Sequence, residues 1–143
     1  MAVVEKFVLI EHTAAQMFSL VDDVEHYPDF LPWCGGVEVH EKTEQRTVAT
    51  LHIRYHGIKA HFSTVNEKEF PRLMTIRLRQ GPFKHLDGTW TFSPLGETAC
   101  KVDLKLRYEF SNRLLEKAVG SVFHHIAHTF IESFIKRAEQ VHG

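Results

Sequence analysis

Two periods of hydrophobicity divide the chain. Over residues 37–110 apolar side chains fall at every second position, and over residues 112–141 they fall at every third or fourth. The first period is that of strands with one buried face. Ala49, Leu51, Ile53 and Tyr55 share one side against Thr50, His52 and Arg54, and Ala60, Phe62 and Thr64 follow. Met74, Ile76 and Leu78 alternate with Thr75, Arg77 and Arg79, and Leu86, Gly88, Trp90 and Phe92 with Asp87, Thr89 and Thr91. Cys100, Val102, Leu104, Leu106, Tyr108 and Phe110 alternate with Lys101, Asp103, Lys105, Arg107 and Glu109. His56-Gly57, Phe70-Pro71-Arg72, Gly81-Pro82 and residues 93–97 supply short turns, which require antiparallel neighbours.

The second period predicts one long helix. Leu115, Val119, Val122, Phe123, Ile126, Phe130, Phe134 and Val141 form its apolar stripe. Ser111 or Asn112 can cap its start, and Glu116 complements its dipole. About thirty residues at 1.5 Å each make a rod of roughly 45 Å, long enough to cross a whole curved sheet. Upstream, residues 3–10 read as a strand. Thr13 caps a short helix over residues 14–21, with Gln16 at the capping-box position. Residues 24–36 hold two prolines, three aromatics, a thiol and two glycines, and Pro32 restricts Leu31, which limits this stretch to one helical turn. The expected order is strand, two short helices, about six more strands, long helix. The fold class is α+β: a curved antiparallel sheet of about six to seven strands wrapped around a long C-terminal helix, with space between the two.

Length and composition narrow the class. The 143 residues suffice for one domain, with 43% apolar and 24% charged residues and a net charge of −1. Cys34 and Cys100 fit no disulfide or metal framework, so a reducing cytoplasm is expected. No apolar run reaches the length of a membrane span, and the N-terminus reads as neither secretory signal nor transit peptide.

The candidate chemistry is sparse. By parity the inner face carries Leu51, Ile53, Tyr55, Phe62, Met74, Ile76, Leu78, Leu86, Trp90, Phe92, Leu104, Leu106 and Tyr108, and the helix adds Phe123, Phe130 and Phe134. A filled core is one reading. A pocket is the other, with Gly88 and Thr64 leaving room; it would suit a lipid, an isoprenoid or a flat aromatic head held by burial at about 25 cal/mol per Å². Cys34 lacks an identifiable base, and serine-nucleophile, P-loop and dinucleotide motifs are absent. His124 and His128 have zinc-compatible spacing, with His125 a third, but His124 and His128 fall opposite the core stripe, as do Ile131 and Ile135. Arg54, Arg77, Arg79, Lys101, Lys105 and Arg107 share the outward parity, either as a solvated face or as a surface for RNA or an anionic membrane.

Tyr27-Pro-Asp-Phe-Leu-Pro-Trp-Cys34, followed by Gly81-Pro-Phe83 and Leu86-Asp-Gly-Thr-Trp-Thr-Phe92, resembles the Coq10/RatA family of the START-like superfamily (polyketide cyclase/dehydrase and lipid transport). The resemblance spans the whole chain and implies a helix-grip fold. It implies non-catalytic binding of ubiquinone in the cavity in support of respiration. The alternative is a ribosome-binding toxin of a toxin–antitoxin system, acting on the large subunit, and a third is a cyclase or aromatase. No cofactor or metal is implied beyond the bound quinone. Tyr27, Phe30, Leu31, Trp33 and Cys34 are expected as a lid or mouth. Phe62, Leu78, Phe83, Trp90, Leu106, Phe123 and Phe130 are expected as cavity walls. The expected compartment is the bacterial cytoplasm, with peripheral contact at the inner membrane.

Overall fold

The computed structural model describes residues 1–143. Its elements run β1 Ala2–Ile10, α1 Ala14–Asp22, a 3₁₀ helix Val24–Asp29, β2 Cys34–Lys42, β3 Arg46–Tyr55, β4 Ile58–Glu69, β5 Leu73–Gln80, β6 Phe83–Pro94, β7 Cys100–Phe110 and α2 Arg113–Val141. All strands join one antiparallel sheet in the order β1-β7-β6-β5-β4-β3-β2. From β2 to β7 each strand pairs with its sequence neighbour through a short turn. β1 closes the far edge beside β7, and β2 forms the other edge.

Local sequence explains the helix ends. Thr13 Oγ1 accepts from the Gln16 N–H at 3.1 Å, and Gln16 Oε1 accepts from the Thr13 N–H at 2.8 Å, the reciprocal capping box expected at α1. Asn112 is the residue that caps α2, accepting from the Leu115 N–H at 2.9 Å. At 29 residues α2 is roughly 43 Å long. It packs on α1, β1, β4 and β7.

That surround changes the expected helix face. Ile131 is 4% exposed and Ile135 is half-buried on the core, whereas the wheel put both outside. A helix that packs on α1 as well as on the curved sheet buries a wider arc than one lying on a flat sheet. Val141 leaves the stripe at 49% exposure, because it sits in the last turn. Two further expectations are corrected in residues 24–36. The helical piece is six residues of 3₁₀ helix with Pro28 inside it, since a 3₁₀ helix this short loses only one bond at a residue without an N–H. Cys34, expected in the lid, is the first residue of β2, paired opposite Ile53.

Candidate functional site

A cavity of about 60 Å³ lies between α2 and the apolar face of the sheet. Of its 18 lining residues 16 are hydrophobic, so burial and shape dominate whatever it holds. α1 and the 3₁₀ helix supply Val21, Val24 and Tyr27, with Trp33 just before β2. The sheet supplies Ala49, Leu51, Phe62, Thr64, Asn66, Met74, Ile76, Leu86, Trp90 and Leu106. α2 closes it with Phe123, Ile126, Ala127 and Phe130. Strand parity delivers the sheet residues to one face.

Seven of the residues expected at the site meet here: Tyr27, Trp33, Phe62, Trp90, Leu106, Phe123 and Phe130. Phe130 is the hub, with ring centroids 5.8 Å from Trp90, 6.1 Å from Trp33 and 6.3 Å from Tyr27. The other five lie elsewhere. Leu31 and Cys34 are buried beside the cavity without lining it. Phe30 turns to Phe134 and lies under the Arg137 guanidinium, 5.1 Å from its ring. Leu78 is half-buried near the end of β5, and Phe83 stacks on Phe110 at 5.0 Å and meets Phe123 at 4.7 Å. Tyr27 and Trp33 are 4% and 3% exposed, so this stretch is packed down as a wall. Gly88 opens no space of its own: a Cβ there would stand 3.0 Å from Leu106 Cδ1 and 3.1 Å from the Lys105 carbonyl oxygen. Its bare backbone lets Leu106 lie flat at the cavity wall.

Sequence reasoning missed Asn66. It shares parity with Phe62 and Thr64 on β4, and that parity is the signal that finds it. Thr64 Oγ1 donates to Asn66 Oδ1 at 3.0 Å, and these are the two polar side chains among the residues lining the cavity apart from the Tyr27 phenol. The Tyr27 hydroxyl donates to the Val21 carbonyl, and burial holds its pKa well above the ordinary tyrosine value. Burial likewise raises the Cys34 thiol, whose Sγ donates to the Gly36 carbonyl at 3.6 Å. A neutral thiol with no base beside it is a poor nucleophile. His124 is not fully solvated as the wheel suggested: its Nδ1 bonds the Tyr108 hydroxyl, and burial pushes Tyr108 up to about 12. His125 stacks on Tyr55 with centroids 5.7 Å apart.

On the outer face the six expected cations divide. Arg77 pairs with Glu67, Arg107 makes a two-pronged contact with Asp87 at 3.0 and 3.1 Å, Lys101 meets Asp103 at 3.7 Å, and Lys105 meets Glu5 at 3.4 Å. Arg54 and Arg79 have no acidic partner. The apparent basic sheet is therefore mostly neutralised within itself.

The family described as polyketide cyclase/dehydrase and lipid transport matches residues 10–135. The chain belongs to this family. Within it, the chain is 41% identical over 140 residues to the ribosome association toxin RatA of Vibrio cholerae, covering 98% of this chain and 97% of that one. It is 37% identical over 140 residues to the Escherichia coli K12 protein of the same name, covering 98% and 89%. A coenzyme Q-binding protein COQ10 homolog B of Xenopus laevis is 25% identical over 132 residues, covering 90% of this chain and 54% of that protein. The fold matches the Zhui aromatase/cyclase from Streptomyces sp. R1128 with a TM-score of 0.79 at 19% identity, covering 97% and 94%. These agree with the seven-stranded sheet and long C-terminal helix of a START-like fold. No helix is long and apolar enough to cross a membrane.

Proposed function

We propose that this chain is a ribosome-association factor that acts without catalysis and restrains the joining of ribosomal subunits by binding the large one. The observation that carries the reading is the 41% identity, end to end, with a protein named for ribosome association. The aligned relative is matched over nearly all of its length, so the likeness is to the whole protein and not to a shared fragment. The absence of an activated nucleophile or an acid–base pair at the cavity supports a binder over a cyclase, although cyclases share the fold. Sucrose-gradient profiles test this. Adding the purified protein to dissociated subunits before magnesium is restored is expected to raise free subunits at the expense of joined ribosomes. An unchanged profile at protein excess contradicts it.

A second reading concerns the cavity, and its apolar lining favours it. We infer that the cavity takes a hydrophobic ligand of the quinone or isoprenoid class, with ubiquinone as the first candidate. The more distant likeness to a coenzyme Q-binding protein supports that choice. A cavity of about 60 Å³ is far below the roughly 300 Å³ at which ligand pockets begin. The ligand must therefore enter by displacing rings, and Phe130 with its three aromatic neighbours is the group to move. Native mass spectrometry after incubation with short-chain ubiquinone is expected to show one quinone per chain. In folded Trp90→Ala or Phe123→Ala variants the affinity is expected to change by more than the stability loss explains. Unaltered affinity in both would remove the cavity as the site.

A further inference from the structure

Outside the cavity, the outer face of β2–β4 carries a groove of about 250 Å³ lined by Gly35, Gly36, His52, Arg54, Lys59 and His61. Its geometry follows from register. Arg54 stands directly opposite Lys59, and His52 directly opposite His61, across the β3–β4 pair. The His52 and His61 rings lie 5.7 Å apart. Two like charges facing each other across a sheet are destabilising unless something compensates them. Elsewhere on this face Arg77, Lys101, Lys105 and Arg107 each have a carboxylate. In the groove Arg54 and Lys59 have none, and the one acid beside it, Glu38, is engaged by His52 Nε2 at 2.9 Å.

The floor is shaped to suit. A bulge interrupts β2 between Cys34 and Gly36. A Cβ at Gly35 would stand 3.0 Å from Arg54 Cβ and 3.7 Å from its Nε, so the glycine lets the arginine stem lie close across the bulge without shifting. The β3–β4 hairpin beyond it turns through His56 and Gly57, both at positive φ, which fixes the register that aligns the four side chains.

We propose that this groove is an RNA-backbone site, in which Arg54 and Lys59 engage phosphates and the paired imidazoles of His52 and His61 contact sugar or base edges. The proposal rests on the ribosome-association reading and names the face that would meet ribosomal RNA. RNA is favoured over an anionic membrane because the large exposed apolar side chains lie on other segments, Val3, Phe7 and Leu9 on β1 among them, and none on the β3–β4 hairpin. A membrane-binding face needs such residues beside its cations, whereas phosphate recognition needs cations and flat donors.

The test is fluorescence anisotropy of a short labelled single-stranded RNA, titrated across a salt series with three proteins. These are the unaltered chain, the double variant Arg54→Glu with Lys59→Glu, and a control carrying Lys117→Glu with Lys136→Glu, two exposed α2 residues without ion pairs and with the same charge change. The groove variant is expected to lose roughly tenfold or more in affinity, and its log affinity against log salt slope should shrink by about 1.4 for two lost phosphate contacts. The control is expected to retain its slope. Equal losses in both variants, no RNA binding by the unaltered chain at low salt, or tighter binding to phosphatidylglycerol vesicles through the same two residues would each overturn the proposal. Co-sedimentation with large subunits separates the two claims. If the unaltered chain and the groove variant both co-sediment, the function stands and the groove is wrong. If neither co-sediments but the unaltered chain binds RNA through Arg54 and Lys59, the groove stands and the function is wrong.

Discussion

Tyr27 shows how one side chain joins the local string to the cavity. Its hydroxyl donates to Val21, its ring meets Phe30, Phe130 and Phe134, and its buried face lines the void. Tyr27→Phe removes the donor and leaves the Val21 carbonyl without that partner, at a cost of about 1–2 kcal/mol. The expected outcome is a thermal midpoint lower by roughly 3–5 °C, measured by circular dichroism. Tyr108 gives a pH prediction. Its folded pKa of about 12 lies above the ordinary 10.0, so the folded state disfavours the phenolate. The stability it contributes is complete below pH 10 and is lost as pH rises toward 12, because the unfolded chain releases that proton first. Urea midpoints should therefore fall across that window, and less steeply in Tyr108→Phe. At this scale the sequence was readable where parity was strict, as at Trp90, Leu106 and Phe62. It was not readable for charge pairing: Arg77 and Arg107 were visible as outward cations, but Glu67 and Asp87 are supplied by neighbouring strands whose register no single strand reveals.

Between elements, α1 is held to the sheet by a partly buried ion pair. Lys68 on β4, its side chain 3% exposed, donates to Asp22 at the end of α1 at 2.9 Å. Removing one partner leaves a charge without compensation in a poorly solvated place. Asp22→Asn is expected to cost on the order of 3 kcal/mol in urea unfolding, whereas Asp22→Asn combined with Lys68→Met is expected to recover a large part of it. If the double variant is no more stable than the single one, the pair is not what anchors α1. Elements were legible wherever a period was sustained: the six strands after the second short helix and α2 fall where the alternation put them. The failures share a cause. A helical wheel places Ile131 toward solvent because it knows nothing of α1 and β1, which the helix also touches. Cys34 reads as part of a lid because two glycines hide a strand that begins with a bulge.

For the whole molecule, the sheet has two faces of different character. The inner face is apolar and almost filled, and its residual space becomes a ligand site only if rings move. Phe130 is half-buried, so Phe130→Ala is expected to open the cavity at a stability cost of about 2–3 kcal/mol, while increasing uptake of short-chain ubiquinone measured by tryptophan fluorescence quenching. A stable variant with no gain in uptake would mean that Phe130 does not limit access. The outer face is charged and mostly self-neutralised, except at Arg79 near the end of β5 and where β3 and β4 carry Arg54, Lys59 and the two histidines. The resemblance carried by residues 27–34 reached the family. Which of the family's activities comes first is not written in those residues, because Tyr27 and Trp33 line the cavity, the others pack beside it, and none of them reports on the outer face.

Co-sedimentation of the purified chain with isolated large ribosomal subunits through a sucrose cushion tests the central claim most directly. The account predicts saturable binding near one chain per subunit, weakened by salt and absent with the isolated small subunit. Protein that remains in the supernatant with either subunit, at low salt and in excess, would contradict it.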